Sequence, residues 1–288
     1  MDPSDVVLYR TGMASDQGPR ELPLGVFDSG IGGLTVLAEL RRALPGESFL
    51  YLGDTARVPY GNRSEHTIVR YARMACGFLN GKGIKALVVA CNTVSAVALD
   101  ILRVEFDVPV LGVIDPPARA ACALVPGGRI GVLGTRRTIA SGAYDRAVKR
   151  ADSRCEVYSA PAPLLVPLAE EGWTSGQVPD LVARRYLEPL IEREVDVLVL
   201  GCTHYPLLVP VLGEVVSRLA GRPIPIVDSA RSVALEAAAF LEERGLERPA
   251  ASPCVRFHVT DNPASFADVG RRFLGEDLDA GAVELVDL

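Results

Sequence analysis

The stretch ALVVACNTVSA (86–96) is an apolar run that stops at Cys91 and continues as a more polar segment, and VLVLGCTH (197–204) repeats this pattern around Cys202. A strand with one face in water alternates apolar and polar residues, whereas these two runs are apolar throughout. Such runs are typical of parallel strands that helices cover on both faces. Because ligands bind where the strands of such sheets end, both cysteines stand at candidate binding positions.

The rest of the chain alternates short apolar runs with longer amphipathic stretches. The predicted strands are 24–28, 49–53, 86–91, 108–114, 130–134, 156–159, 197–202, 224–227 and 255–259. The predicted helices are 34–44, 65–80, 95–106, 136–150, 179–193, 207–219, 231–244 and 264–274. This alternation predicts an α/β fold with mostly parallel sheets flanked by helices.

Two parts of the chain resemble each other. Each contains a strand that begins Gly-Val, in GVFD (25–28) and GVLG (131–134), and each has a later strand that ends at a cysteine. The spacings agree, since Cys91 follows Asp28 by 63 residues and Cys202 follows Thr135 by 67. We therefore expect two pseudo-symmetric α/β domains, each with one cysteine at a strand end and with the active site in the cleft between them.

Length and composition limit the number of domains and the kinds of partner to be expected. The 288 residues are enough for about two domains, and the net charge of −6, with no run of Lys and Arg, predicts no nucleic-acid partner. No apolar stretch is long enough to span a bilayer, so no membrane partner is expected. The polar start, residues 1–23, has no export-signal pattern and is predicted to be a disordered or weakly ordered extension. Six dispersed cysteines without CxxC spacing predict neither a disulfide framework nor a metal site.

Two thiols in one cleft suit a particular chemistry. A thiol at a strand end, facing a helix N-terminus, is expected to have a lowered pKa. One thiolate can then remove a proton from a stereocentre while the other thiol delivers a proton to the opposite face. Asp28 is the candidate tuning partner of Cys91, and His204 that of Cys202. Four short polar side chains could hold a substrate carboxylate, namely those of Ser29, Asn92, Thr93 and Thr203.

Plainer interpretations exist for each feature. A single cysteine at a strand end is most often a small core residue. Asp28 could cap the following helix, His204 could cap or pack, and GIGG (30–33) could be a phosphate loop, although the Lys-Ser/Thr pair of such loops is missing. Each interpretation accounts for one feature, but together they leave the two matched constellations unexplained.

Five motifs in order resemble glutamate racemase, a member of the aspartate/glutamate racemase family. They are GVFDSGIGGLTV (25–36), GDTARVPYG (53–61), ACNTVSA (90–96), GCTHYPLL (201–208) and VDSA (227–230). The resemblance implies a two-base isomerase without cofactor, in which Cys91 and Cys202 are the catalytic pair, assisted by Asp28, His204 and Glu170. It implies that substrate is contacted by Asp28, Ser29, Pro59, Tyr60, Gly61, Asn92, Thr93, Thr135, Thr203 and His204.

The resemblance carries further expectations. It implies a first domain of residues 24–113 plus 226–288 and a second of residues 114–225. It also implies glutamate as substrate, a role in bacterial peptidoglycan precursor synthesis, a cytoplasmic location and a homodimer. Pro117 departs from the family pattern, where Gly is usual, and leaves the shape of the local loop open.

Two alternatives stay open at this point. One is a racemase of aspartate or another small dicarboxylate, although His204 favours glutamate because aspartate racemases typically have Glu there. The other is a non-catalytic sensor of small ligands on the same scaffold, because a fold does not determine a function. A sensor would not need two reactive thiols in one cleft.

Overall fold

The computed structural model describes residues 18–249 and 252–288. Its strands form two sheets in which every pairing is parallel, with orders β10-β9-β2-β1-β3-β4 and β6-β5-β7-β8. The strands are β1 (Leu24–Asp28), β2 (Phe49–Gly53), β3 (Ala86–Val89), β4 (Val110–Gly112), β5 (Arg129–Gly134), β6 (Glu156–Pro161), β7 (Val197–Gly201), β8 (Ile226–Asp228), β9 (Val255–Val259) and β10 (Val283–Leu285).

Helices fill the connections between strands. They are α1 (Leu34–Ala43), α2 (Glu65–Gly81), α3 (Asn92–Val97), α4 (Leu99–Glu105), α5 (Asp115–Leu124), α6 (Arg136–Ala140), α7 (Ala143–Ala151), α8 (Leu165–Glu170), α9 (Gln177–Ile191), α10 (Val209–Ala220), α11 (Ser229–Glu243) and α12 (Pro263–Leu274). Short single-turn helices include Thr55–Arg57, Tyr60–Asn62 and Tyr205–Leu208.

The core follows the alternation of side chains along each strand. In β1, Val26 points into an apolar core that reaches both sheets, and the next residue, Phe27, points into a second core on the other face of the first sheet. A third core covers the outer face of the second sheet. Each sheet is thus buried on both faces, which is why its strands are apolar throughout.

Several elements differ from the prediction. The stretch 95–106 is two helices that meet at Ala98, and 136–150 is two helices that meet at Gly142, whose φ of 65° suits glycine. Helices α5 and α8 and strand β10 were not predicted. Pro116 and Pro117 lie in the first turn of α5, where a missing backbone N–H costs no helical hydrogen bond.

The pairing of β8 concerns the expected domain limit at residue 226. β8 pairs with β7, so residues 226–228 belong to the second sheet, and α11 then leads the chain back to the first. Of the predicted N-terminal extension, residues 1–17 lie outside the described residues. Residues 18–23, by contrast, include a turn closed by Glu21 N and Gly18 O, and the backbone oxygen of Arg20 accepts a hydrogen bond from Lys85.

Candidate active site

Cys91 lies where the polypeptide leaves β3 and enters α3, as the residue that caps the helix N-terminus. Its Sγ is 3.2 Å from the hydroxyl of Ser29. Burial and the nearby Asp28 carboxylate raise the pKa of this thiol to about 12, although the Ser29 hydroxyl and the amide of Val94 oppose that change. The predicted lowering of the Cys91 pKa is therefore wrong, because desolvation outweighs a helix of only six residues.

Asp28 ends β1 and is almost fully buried. Its Oδ2 accepts a hydrogen bond of 2.9 Å from the amide of Gly30, while its Oδ1 has no hydrogen-bond partner. Burial raises the pKa of this carboxyl, against the opposing effects of His204 and the amides of Gly33, Gly30 and Ser29. The interpretation of Asp28 as a capping residue is partly correct, because its Oδ2 accepts a hydrogen bond from the turn that precedes α1. Its Oδ1 takes no part in that turn.

The second cysteine has its own acid–base neighbours. Cys202 follows β7, and its Sγ is 3.8 Å from Nδ1 of His204. The other ring nitrogen, Nε2, is 2.8 Å from Oε1 of Glu170 at the end of α8. Burial alone would lower the pKa of His204, yet its contacts with Cys202 and Glu170 raise it to about 10. The raised pKa favours the protonated imidazole, which donates a hydrogen bond through each of its two ring nitrogens.

The GIGG turn, which follows β1 of the first sheet, packs closely against the second cysteine motif. A Cβ placed on Gly32 would lie 2.3 Å from Oγ1 of Thr203 and 2.4 Å from Nδ1 of His204. A Cβ on Gly33 would lie 2.4 Å from the Cβ of Asp28. The glycines thus permit close approach between protein segments, which is a structural reason for this turn other than binding a phosphate.

Hydroxyl and amide groups form a second bridge between the two sheets. The Oγ1 atom of Thr93 is 3.0 Å from that of Thr135 and 3.3 Å from that of Thr138, and these last two are 2.9 Å apart. The side-chain oxygen of Asn92 accepts a hydrogen bond of 2.7 Å from the hydroxyl of Tyr144. Thr93 and Asn92 belong to the first cysteine motif, and their partners follow β5 or lie on α7, so these hydrogen bonds connect the first cysteine motif to the second sheet and its helices.

The two motifs face one cavity of about 380 Å³. Asp28 is not part of the cavity lining. All other residues predicted for the site line this cavity, namely Ser29, Pro59, Tyr60, Gly61, Cys91, Asn92, Thr93, Thr135, Glu170, Cys202, Thr203 and His204. The hydroxyl of Tyr60 donates a hydrogen bond to the buried carboxylate of Asp54, which also accepts bonds from Thr260 and Arg57. The sequence therefore identified residues that line the cavity, and the structure shows the hydrogen bonds that keep one of them, Tyr60, in place.

Other lining residues were not predicted from the sequence. They include the charged residue Arg136 and the apolar residues Pro163, Val166 and Pro167. Thr138 was also missed, although its place three residues after Thr135 is the spacing at which a helix-capping hydroxyl meets a backbone N–H. This apolar surface carried no sequence signal because Pro163 precedes the short helix α8 and Val166 and Pro167 lie within it, and six residues show too little periodicity.

Comparison with known proteins supplies the context for this cavity. A family model described as Asp/Glu/Hydantoin racemase matches residues 29–237, a range that includes both cysteine motifs. The chain belongs to this family. The predicted class of enzyme, a racemase and hence an isomerase, is confirmed by this membership.

The expected resemblance to glutamate racemase is confirmed by individual relatives. A glutamate racemase of Geobacter metallireducens is 51% identical over 256 residues, which are 88% of this chain and 93% of the relative. A crystal structure of glutamate racemase from Francisella tularensis in complex with D-glutamate superposes with a TM-score of 0.86 at 36% identity, covering 93% of this chain and 98% of the other.

A further structure agrees with these two. Glutamate racemase from Thermus thermophilus, in complex with β-chloro-D-alanine, has a TM-score of 0.84 and 44% identity and covers 94% of this chain and 99% of the other. The predicted α/β fold class of this family is thereby confirmed. Within residues 18–249 and 252–288, no helix is both long and apolar enough to cross a membrane.

Lysine is the residue to which pyridoxal phosphate attaches in enzymes, so the three lysines of this chain bear on its chemistry. None of the three lines the cavity. Lys85 is buried in an ion pair with Glu47, Lys82 lies over the ring of Phe78, and Lys149 bonds to backbone oxygens next to α7. The groups available for proton transfer in this cavity are thiols, the imidazole and carboxylates.

Proposed function

We propose that this racemase interconverts L- and D-glutamate by direct proton transfer between substrate and two thiols, without a cofactor. The observation that carries the proposal is the placement of Cys91 and Cys202 in the wall of one cavity, each at the end of a strand in a different sheet and each beside its own partners. The relatives reported above, which are glutamate racemases, support glutamate as the substrate.

The proton balance of the reaction is simple. One cysteine, as thiolate, takes the proton from Cα, and the electron pair of the C–H bond stays on carbon as a carbanion-like centre. The other cysteine, as thiol, gives its proton to the opposite face and is left as thiolate. The reverse reaction exchanges the two roles, so the enzyme needs no net proton and no oxidant.

The high pKa of Cys91 has a chemical use in this scheme. An amino-acid Cα–H is far less acidic than an ordinary thiol, and a thiolate with a raised pKa is a stronger base. The same burial reduces the fraction of Cys91 that is thiolate at neutral pH. Burial therefore makes the thiolate a stronger base and at the same time less abundant. On the other side, Nδ1 of His204 lies 3.8 Å from Sγ of Cys202 and so faces the sulfur whose charge changes during the reaction.

Substrate groups must be held while the carbon reacts. Hydroxyl and amide donors of Ser29, Asn92, Thr93 and Thr203 surround the two sulfurs and suit the α-carboxylate, whose charge they would stabilise further as the carbanion forms. The buried carboxyl group of Asp28, which does not line the cavity, would act on the positive charge of the substrate ammonium through electrostatics and not through direct contact. Arg136, which also lines the cavity, carries a charge that suits the distal carboxylate that glutamate and aspartate share.

Deuterium incorporation tests the reaction directly. L- or D-glutamate incubated with the protein in D₂O is expected to gain deuterium at Cα as it racemises, and Cys91→Ala and Cys202→Ala are each expected to abolish racemisation. Cys254→Ala is the matched control, because Cys254 is exposed and far from the cavity. Normal turnover in either Cys91→Ala or Cys202→Ala would contradict the two-thiol mechanism.

The substrate itself needs a separate experiment. Racemisation rates of glutamate and aspartate, measured by circular dichroism at equal enzyme concentration, decide between the proposed substrate and the shorter dicarboxylate. A faster rate with aspartate would contradict the assignment. Failure to racemise either, with both thiols intact, would favour the sensor alternative.

The cellular proposals follow from this activity. We propose that the protein supplies D-glutamate for peptidoglycan precursors in the cytoplasm and that it works as a homodimer. We also propose two domains, residues 24–113 with 226–288 and residues 114–225, with the short strand β8 (Ile226–Asp228) crossing the limit between them to pair with β7. Expression in a bacterium that requires added D-glutamate tests the first of these proposals, since growth without the supplement is expected. Light scattering after gel filtration tests the dimer.

A further inference from the structure

Helix α12, near the end of the chain, packs against the second cysteine centre. The ring of Phe273 lies edge-on to the imidazole of His204, with 5.1 Å between ring centroids and 77° between ring planes. Phe273 is buried in the core shared by the two sheets. On another side of the imidazole, the backbone of Gly32 approaches so closely that it leaves no room for a Cβ. The ring of His204 is therefore confined between α12 and the GIGG turn.

The neighbouring residue of α12 reaches the other partner of His204. Nη1 of Arg272 donates a hydrogen bond of 2.5 Å to the backbone oxygen of Glu170, at the carboxyl end of α8. Carbonyl groups at a helix end lack partners within the helix, and a cation there is favourable. The side chain of Arg272 also passes over Gly172, where a Cβ would lie 3.3 Å from its Nε. Arg272 thus holds the end of α8 that carries Glu170.

Resting on the proposed function, we propose that Arg272 and Phe273 are positioning residues for proton transfer at Cys202. Arg272 fixes the backbone of Glu170, and Phe273 fixes the ring of His204 that stands between Glu170 and Cys202. Neither residue touches the cavity. Their effect on the reaction is carried by the 2.8 Å contact between Glu170 and His204 and the 3.8 Å contact between His204 and Cys202.

This arrangement predicts a kinetic signature that a general loss of stability does not produce. The two enantiomers have equal free energies, so kcat/KM must be the same in both directions for any variant. The two enzyme–substrate complexes differ, however, because one contains Cys202 as thiolate beside the imidazolium and the other contains it as thiol. A misplaced imidazole changes the free energies of these complexes unequally, so kcat and KM are expected to change by different factors in the two directions.

The test compares Arg272→Met and Phe273→Leu with Arg271→Met. Arg271 is the matched control because it is a neighbouring exposed arginine on α12 that pairs with Asp268 instead of Glu170. We expect kcat/KM to fall roughly tenfold in the first two variants, equally in both directions, with unequal changes in kcat. Arg272→Lys, which keeps a donor, is expected to recover part of the loss, and Arg271→Met to behave like the unsubstituted protein.

Two outcomes would overturn the inference. One is unchanged kinetics in both Arg272→Met and Phe273→Leu. The other is an equal fall of kcat in both directions at constant KM, which reports a smaller fraction of active protein and is checked by the thermal unfolding of each variant. These results are distinct from failure of the proposed function, in which the unsubstituted protein itself would not racemise glutamate.

Discussion

Replacing Gly32 with alanine is expected to disable the site while leaving the fold intact. The added Cβ would lie 2.3 Å from Oγ1 of Thr203, about 1.1 Å short of the 3.4 Å at which ordinary contact begins. The atoms it meets belong to short side chains, and His204 is also held by Glu170, so the second cysteine motif must move as a unit. A displacement of about 1 Å at reacting groups can cost on the order of a hundredfold in rate.

The measurement is the rate of deuterium exchange at Cα of glutamate, together with thermal unfolding. We expect Gly32→Ala to lose about a hundredfold in kcat. Gly213→Ala is the control, because a Cβ there meets its nearest atom at 3.9 Å within α10 and alanine favours the helix. Wild-type turnover by a folded Gly32→Ala protein would refute the claim that this close approach positions His204.

Three further predictions concern charge and the bridge between the sheets. The pKa of His204 is raised from 6.5 to about 10 in the folded protein. Protonated His204 therefore contributes fully to the free energy of unfolding below pH 6.5, and this contribution is lost as pH rises through about 10. In urea titrations at several pH values, His204→Asn should remove this pH dependence. Asp28→Asn removes a carboxylate that raises the pKa of Cys91, so it should lower that pKa. In a protein that also carries Cys202→Ala and Cys254→Ala, Cys91 should then react faster with iodoacetamide at a given pH. An unchanged alkylation rate would contradict the electrostatic coupling between Asp28 and Cys91. Thr138→Val removes hydroxyl contacts with Thr93 and Thr135, so it should lower the free energy of unfolding by about 1–3 kcal/mol and raise KM. The control Thr67→Val, in the first turn of α2, should change neither quantity.

The sequence located the site because its residues lie at strand ends, which apolar runs mark clearly. Strands β1, β2 and β9 have the bounds predicted for them, and the cysteines follow strands as expected. Helix interruptions were harder to predict, because the break at Ala98 needs no Gly or Pro and the periodicity continues through it. The short helix α8 was missed for a similar reason, since six residues with an internal proline show too little periodicity.

Electrostatics was the least predictable part of the site. A strand end before a helix suggested a lowered thiol pKa, and Asp28 was expected near Cys91, but the sequence does not show that burial of Cys91 outweighs the helix and that Asp28 adds to the rise. Nor does it show that α12 reaches across to Glu170 and His204, which requires the order of strands in the first sheet. Local patterns identify residues, whereas desolvation and long-range contacts depend on the assembled core.

The order of strands in the first sheet has a consequence for synthesis of the chain. β2 pairs with β9, so that Leu50 stands beside Arg256, and β9 is made only after the whole of the second sheet. Until then one edge of β2 lacks its neighbour and can pair with other chains. Both cysteines emerge from the ribosome well before Arg272 and Phe273, so the nascent chain holds its two thiols without the helix that positions His204. Aggregation and incomplete activity are therefore expected to concentrate in the interval before residues 255–274 have folded onto the sheet.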